Sequence, residues 1–178
     1  MRYVALLRGI NVGGNNKVPM PELRACFEAA GYENVKTYIN SGNVIFDSDE
    51  ADLEKLVTAC ELGIEKRFGF PVRVSVISSQ QLRQALEHAP GWWDQDPASK
   101  HNAIFVIAPA KAERVMAAVG DAKPEYERVA SHGNVIFWSA PIKTFGRSRW
   151  AKIVGTVAYR DVTIRNANTA KKLLELVT

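Results

Sequence analysis

Hydrophobic and polar positions alternate weakly along residues 2–8, the spacing of a strand, and after Pro21 they change to helical spacing. Leu23, Cys26, Phe27 and Ala30 then share one helix face, and Gly31 stops the helix. Val35, Thr37 and Ile39 alternate with Lys36, Tyr38 and Asn40, and Ser41-Gly42 turns the chain into 43–46, so a hairpin is predicted. Asp49 is placed to cap a second helix that buries Leu53, Leu56, Val57, Cys60 and Ile64, and Pro71 introduces a strand over 72–77. Ser78-Ser79 caps a third helix over 80–88, which Pro90-Gly91 ends. The order is βαββαβ and then a helix.

The same pattern returns after the tryptophan-containing segment 90–97. A buried strand is predicted over 103–108, then a helix with Val115, Met116 and Val119 on one side. A hairpin at 127–131 and 134–138 follows, then a helix over about 147–154 buried through Trp150, Ile153, Val154 and Val157. A strand at 162–165 and a helix with Ala170, Leu173, Leu174 and Val177 inward complete it. Gly-Asn-Val-Ile-Phe occurs at 42–46 and again at 133–137, an offset of 91 residues. The expected fold class is therefore α+β, a tandem duplication of a ferredoxin-like βαββαβ unit with antiparallel sheets and helices on one face of each. The halves are set at 1–89 and 103–178, with a linker at 90–102. Tyr38, Ile45, Ile136 and Trp138 are too apolar for a solvated second sheet face, which predicts a packed or ligand-bearing cleft between the halves.

Composition and charge narrow the class. At 178 residues, 47% hydrophobic and 24% charged, the chain is that of a folded globular protein and not of a disordered or collagen-like one. Its first apolar stretch ends at Arg8, too short for a signal-peptide core or a membrane span, so a cytoplasmic location is expected. Cys26 and Cys60 are read as free thiols. The net charge of +4 is uneven: residues 1–89 carry 10 Lys/Arg against 11 Asp/Glu, and 90–178 carry 13 against 8. Residues 143–172 hold eight Lys or Arg against Asp161 alone. That surface suits phosphate, nucleotide or nucleic acid, although solvated basic residues also serve solubility.

Three segments could carry chemistry. The first runs from Arg8 to Met20 and contains Gly9, Asn11, Gly13, Gly14 and Lys17. A loop of about a dozen residues is often a binding loop, and a Gly-Gly pair lets backbone N–H groups approach an anion. It lacks the Walker and GxGxxG patterns, and its Asn and Gly residues equally suit ordinary turns. The second is 163–169, where Asn166 or Asn168 can cap the last helix while the other, with Arg165 and the helix N-terminal amides, can hold a carboxylate or phosphate. The third is the basic helix, where Arg149 and Lys152 lie three apart and share a face away from the apolar stripe, which equally suits a solvated surface. Trp92, Trp93, Trp138 and Trp150 suit packing better than base stacking, and 41–47 and 132–138 lack the aromatics of an RNA-recognition strand. His88, His101 and His132 lie apart with no metal-ligand spacing, and Ser41 sits in a turn with no base placed beside it, so neither a metal, a cofactor nor a catalytic residue is assigned.

Leu7-Arg8-Gly9-Ile10-Asn11-Val12-Gly13-Gly14, Thr37-Tyr38-Ile39-Asn40-Ser41-Gly42-Asn43-Val44 and Thr163-Ile164-Arg165-Asn166-Ala167-Asn168-Thr169 together resemble the bacterial domain-of-unknown-function family numbered 1697. The resemblance covers nearly the whole chain and implies a cytoplasmic two-part α+β protein with no established activity. It places the family's recurring polar positions on Arg8, Gly9, Asn11, Gly13, Gly14, Ser41, Gly42, Asn43, Lys152, Arg165, Asn166, Asn168 and Thr169. Where relatives have Trp between the two asparagines, this chain has Ala167. The expected function is binding of a small phosphate- or carboxylate-bearing ligand in a cleft between the halves, between the Gly13-Gly14 loop and the helix start at 165–169. The alternatives are non-specific nucleic-acid binding by the basic second half and an enzyme acting on a phosphorylated substrate. Oligomeric state and ligand identity are left open.

Overall fold

A computed structural model describes Met1–Thr178 and divides into two compact units, Met1–Leu82 with Leu173–Thr178, and Arg83–Lys172. The first contains β1 (Arg2–Leu7), α1 (Met20–Ala29), β2 (Glu33–Tyr38), β3 (Asn43–Asp47), α2 (Leu53–Phe68) and β4 (Val74–Ser78). The chain then enters α3 (Ser79–Glu87), within which the unit boundary falls, so the tryptophan segment belongs to the second unit. That unit carries β5 (Ser99–Val106), α4 (Ala112–Val119), β6 (Arg128–His132), β7 (Val135–Pro141) and β8 (Val162–Asn166), and α5 (Ala167–Val177) begins in it.

Both sheets are four-stranded and antiparallel, in the orders β2-β3-β1-β4 and β6-β7-β5-β8. These are the same permutation, the one a split βαβ unit produces. The pairings correspond as well: Val4 lies opposite Ile45 in the first sheet and Ile104 opposite Ile136 in the second. Leu23, Phe27, Leu56, Val57, Cys60 and Ile64 of α1 and α2 are buried. In the second unit Ile104, Val106, Ile136 and Trp138 pack with Val115 of α4 and with Trp150, Ile153 and Ala158.

Local chemistry sets the ends of the elements. Asp52, and not Asp49, caps α2: its carboxylate accepts from the Glu54 and Lys55 amides at 2.9 and 3.3 Å. Ser78 and Gln81 form a reciprocal box at the start of α3, each side chain accepting from the other's amide. The helix expected over about 147–154 is replaced by three 3-10 turns, Ile142–Arg147, Trp150–Gly155 and Val157–Asp161. Trp150 and Ile153 are buried as expected, whereas Val154 and Val157 are exposed. Cys26 and Cys60 are free thiols. Burial holds the Cys60 thiol up at about 12, well above the reactive range. No helix is long and apolar enough to cross a membrane.

Candidate functional site

In the first unit the long segment after β1 folds on itself. Val12 bridges Asn15, with Gly13 and Gly14 at positive φ between them, as a two-residue hairpin turn requires. The tip is exposed, while Ile10 and Val18 are buried beneath it. Asn11 ties the segment down: its amide donates to the carbonyls of Val18 (2.9 Å) and Asn40 (2.8 Å) and accepts from the Val18 N–H (2.8 Å). Asn16 donates to the Gly9 carbonyl at 3.2 Å. Asn43 is completely buried and donates to the Tyr38 carbonyl and the Ser41 hydroxyl at 2.9 and 3.1 Å. Asn11 and Asn43 therefore hold two turns together. Gly13 and Gly14 lie at the hairpin tip, Lys17 is exposed and Arg8 half-buried.

The second segment is built by the end of β8 and the start of α5. Asn166 is the cap, accepting from the Thr169 N–H at 2.8 Å, and Asn168 is exposed in the first turn. Ala167 and Thr169 are buried. Arg165 is 8% exposed, and loss of solvent lowers its guanidinium to about 10. It still carries its charge at neutral pH, and its Nη1 donates to the Ile164 carbonyl at 3.0 Å. Arg165, Asn166, Asn168 and Thr169 are thus brought together. Lys152 is exposed on the 3-10 turn Trp150–Gly155, which covers the sheet face opposite the one that carries Arg165.

Strand alternation identifies that second face. Ala103 pairs with Arg165 on one side and Phe137 on the other, and in the neighbouring row His101 pairs with Ser139, which pairs with Arg128. Arg165, His101, Ser139 and Arg128 therefore lie on the side of the sheet away from α4 and the 3-10 turns. The tryptophan segment covers part of it. Trp93 packs edge-on to Phe137, ring centres 5.0 Å apart, and its Nε1–H donates to the Asn102 carbonyl at 2.9 Å.

Two pockets flank this cover. One, of about 490 Å³, is lined by Asp94, Asp96, Ser99, His101, Asn166 and Asn168. The other, of about 380 Å³, includes Trp92, His101, Tyr126, Arg128 and Ser139 in its wall. His101 joins them. Its Nδ1 receives the Asp94 N–H at 3.0 Å and lies 2.5 Å from Ser139 Oγ, and its Nε2 lies 2.6 Å from the Asp96 carbonyl. The Asp94 carboxylate pairs with Lys171 of α5. Asp96 is held below the usual carboxylate range by the Ser99 hydroxyl and the Ala98 amide. His101, Ser139 and Arg128 were not singled out from the sequence, yet period-2 alternation together with the repeated hairpin contains the signal that puts them on one face.

A third pocket, of about 690 Å³, lies in the first unit beside Met1, Arg2, Tyr32, Glu33, Asp47 and Glu50. Arg2 meets Asp47 through two hydrogen bonds of 2.9 and 3.1 Å, and Asn34 adds a third at 2.8 Å. Arg2 and Asp47 are thereby spent on each other. Nowhere do three His, Cys, Asp or Glu side chains converge as a metal site would need.

Comparison with known proteins follows the same outline. No curated protein matches the chain. Among solved structures, the conserved bacterial protein SP0830 from Streptococcus pneumoniae is 33% identical, with a TM-score of 0.87 over 99% of this chain and 98% of that one. The family model described as "Protein of unknown function (DUF1697)" matches residues 1–137, more than three quarters of the sequence, so the chain belongs to the DUF1697 family.

Proposed function

We propose that the protein is a cytoplasmic binding protein for a small phosphate- or carboxylate-bearing ligand, held in the second unit where β8 runs into α5. The observation that carries this reading is the desolvated Arg165 guanidinium, one residue before the Asn166 cap. Two like-signed features coincide there, a buried cation and the positive end of an 11-residue helix. An anion seated at this point gains from both the guanidinium charge and the helix N-terminal amides. In this reading Arg165 supplies charge, while Asn168 and Thr169 orient the ligand. The first-unit residues Arg8, Gly9, Asn11, Gly13, Gly14, Lys17, Ser41 and Asn43 serve as scaffold.

The test is a thermal-shift and calorimetric screen of inorganic phosphate, nucleotides, sugar phosphates and carboxylates at low and high salt. A ligand at 100 times its Kd stabilises by about 2.7 kcal/mol. One small anion is expected to give a salt-tolerant shift that Arg165→Ala abolishes. A folded Arg165→Ala variant that binds that ligand with unchanged affinity sinks the reading. A second reading, nucleic-acid binding, is favoured by the exposed Lys143, Arg147, Arg149, Lys152 and Arg160 on and beside the 3-10 turns. It predicts instead a shift given only by oligonucleotides, with log K falling against log salt at about −0.9 per phosphate neutralised.

A further inference from the structure

The network around His101 has a direction. The Asp94 N–H can only donate and the Asp96 carbonyl can only accept, so Nδ1 is the acceptor and Nε2 carries the proton. Ser139 Oγ, 2.5 Å from that acceptor nitrogen, is then a second donor to the one lone pair that the Asp94 N–H also approaches. A hydroxyl aimed at an imidazole, with the ring fixed from behind by a third group, is the arrangement that activates a serine nucleophile. The pair is set by the sheet, since His101 and Ser139 are directly opposed on β5 and β7. Both line the 380 Å³ pocket, and Arg128, opposite Ser139 on β6, is the only arginine or lysine in its wall. Trp92 and Tyr126 provide aromatic surface, while Glu125 and Asp96 make the rim unsuited to a second negative charge.

We propose that Ser139 and His101 form a nucleophile and base that hydrolyse a small uncharged carboxylic ester in this pocket. This activity is separate from the anion site at Arg165. Ser139 Oγ attacks the ester carbonyl carbon and its proton passes to His101 Nδ1, while Arg128 offsets the charge that develops on the carbonyl oxygen. The bond to the alcohol oxygen then breaks, that oxygen takes the proton from Nδ1, and the acyl group stays on Ser139. Water attacks the acyl carbon and gives a proton to Nδ1, the acyl–Oγ bond breaks, and Oγ recovers the proton. The sum is ester plus water to acid plus alcohol. While Nδ1 carries the proton, its bond from the Asp94 amide is lost, and the Asp96 carbonyl holds the charged ring through Nε2–H.

The experiment uses the full chain with p-nitrophenyl acetate as substrate and a fluorophosphonate as covalent probe. Hydrolysis above the buffer rate is expected, with one fluorophosphonate per chain located on Ser139 by peptide mass. Ser139→Ala should lower the rate by about 10²-fold or more and abolish labelling. His101→Asn should do the same to the rate. Because His101 also anchors the tryptophan segment, Ser139→Ala, a small change on a β-strand, is the deciding variant, with circular dichroism as the fold check. Absence of both turnover and labelling overturns the proposal. So does a label on another residue, or a folded Ser139→Ala chain as active as the parent.

Discussion

The two copies of Gly-Asn-Val-Ile-Phe show how one set of residues acquires two jobs. Gly42 and Gly133 both lie at positive φ, +87° and +56°, which disfavours any residue with a Cβ. Their surroundings differ. A Cβ on Gly42 would sit 2.6 Å from Ile10 Cδ1 and 2.9 Å from Leu7 Cβ, whereas one on Gly133 would meet nothing within 4 Å. Gly42→Ala therefore combines backbone strain with overpacking and should cost about 2–4 kcal/mol. Gly133→Ala carries the strain alone, about 1 kcal/mol. Urea unfolding of the two variants with unchanged m-values checks the difference, and equal costs would contradict it. The asparagines diverge likewise. Asn43 is buried and bonds to Tyr38 and Ser41, while Asn134 accepts from the Ala112 amide and so holds the start of α4. The repeat makes matching hairpins legible in the sequence. It does not reveal these partners, because Ile10 and Ala112 reach the hairpins only through the fold.

At the scale of elements, most of what was legible came from periodicity, and the failure lies where periodicity meets backbone constraint. Trp150, Ile153, Val154 and Val157 have helix-like spacing, yet the chain forms 3-10 turns there, with Gly146 inside the first and Gly155 at the end of the second. Glycine makes a continuous helix expensive, and an outside acceptor takes the amides at the start of the second turn. That acceptor is Glu127, 3% exposed, whose carboxylate receives the N–H groups of Lys123 (3.0 Å), Arg149 (2.6 Å) and Trp150 (3.0 Å). The indole N–H of Trp150 then donates to the Gly120 carbonyl at 3.2 Å. No local pattern marks a carboxylate that serves a segment more than twenty residues away. Removing it strands amides that cost roughly 1–3 kcal/mol each when buried and unpaired. Glu127→Ala is thus expected to lose about 3 kcal/mol or more, and Glu127→Gln, which keeps one acceptor oxygen, about half as much. Thermal unfolding measures the loss. A red-shifted tryptophan emission should accompany it as the Trp150 segment loosens, and an unaltered melting temperature in Glu127→Ala would show that the turns hold without the carboxylate.

For the molecule as a whole, the duplication could be read from the sequence because strand order follows from element order: two βαββαβ runs give two sheets of the same permutation. The candidate site could be read only in pieces. Composition drew attention to Gly13, Gly14 and Asn11, which form and brace a turn, and equally to Arg165 and Asn166, which stand at a helix start. His101 and Ser139 carried no local signal, since strand pairing alone brings them together across 38 residues. The division into units also departs from chain order, because the end of α5, from Leu173, belongs with the first unit. This makes the units separately observable. All four tryptophans, Trp92, Trp93, Trp138 and Trp150, lie in the second unit, so their fluorescence reports that unit, whereas far-ultraviolet circular dichroism reports both. Leu173 is completely buried, and Leu173→Ala removes its packing without weakening the propensity of α5. The expected cost is about 2–5 kcal/mol, and it should fall on the first unit. In urea the circular-dichroism transition should then begin at lower denaturant than the tryptophan transition, while in the parent chain the two lie closer together. If both move equally, the end of α5 stabilises the second unit as much as the first, and the two unfold as one cooperative body.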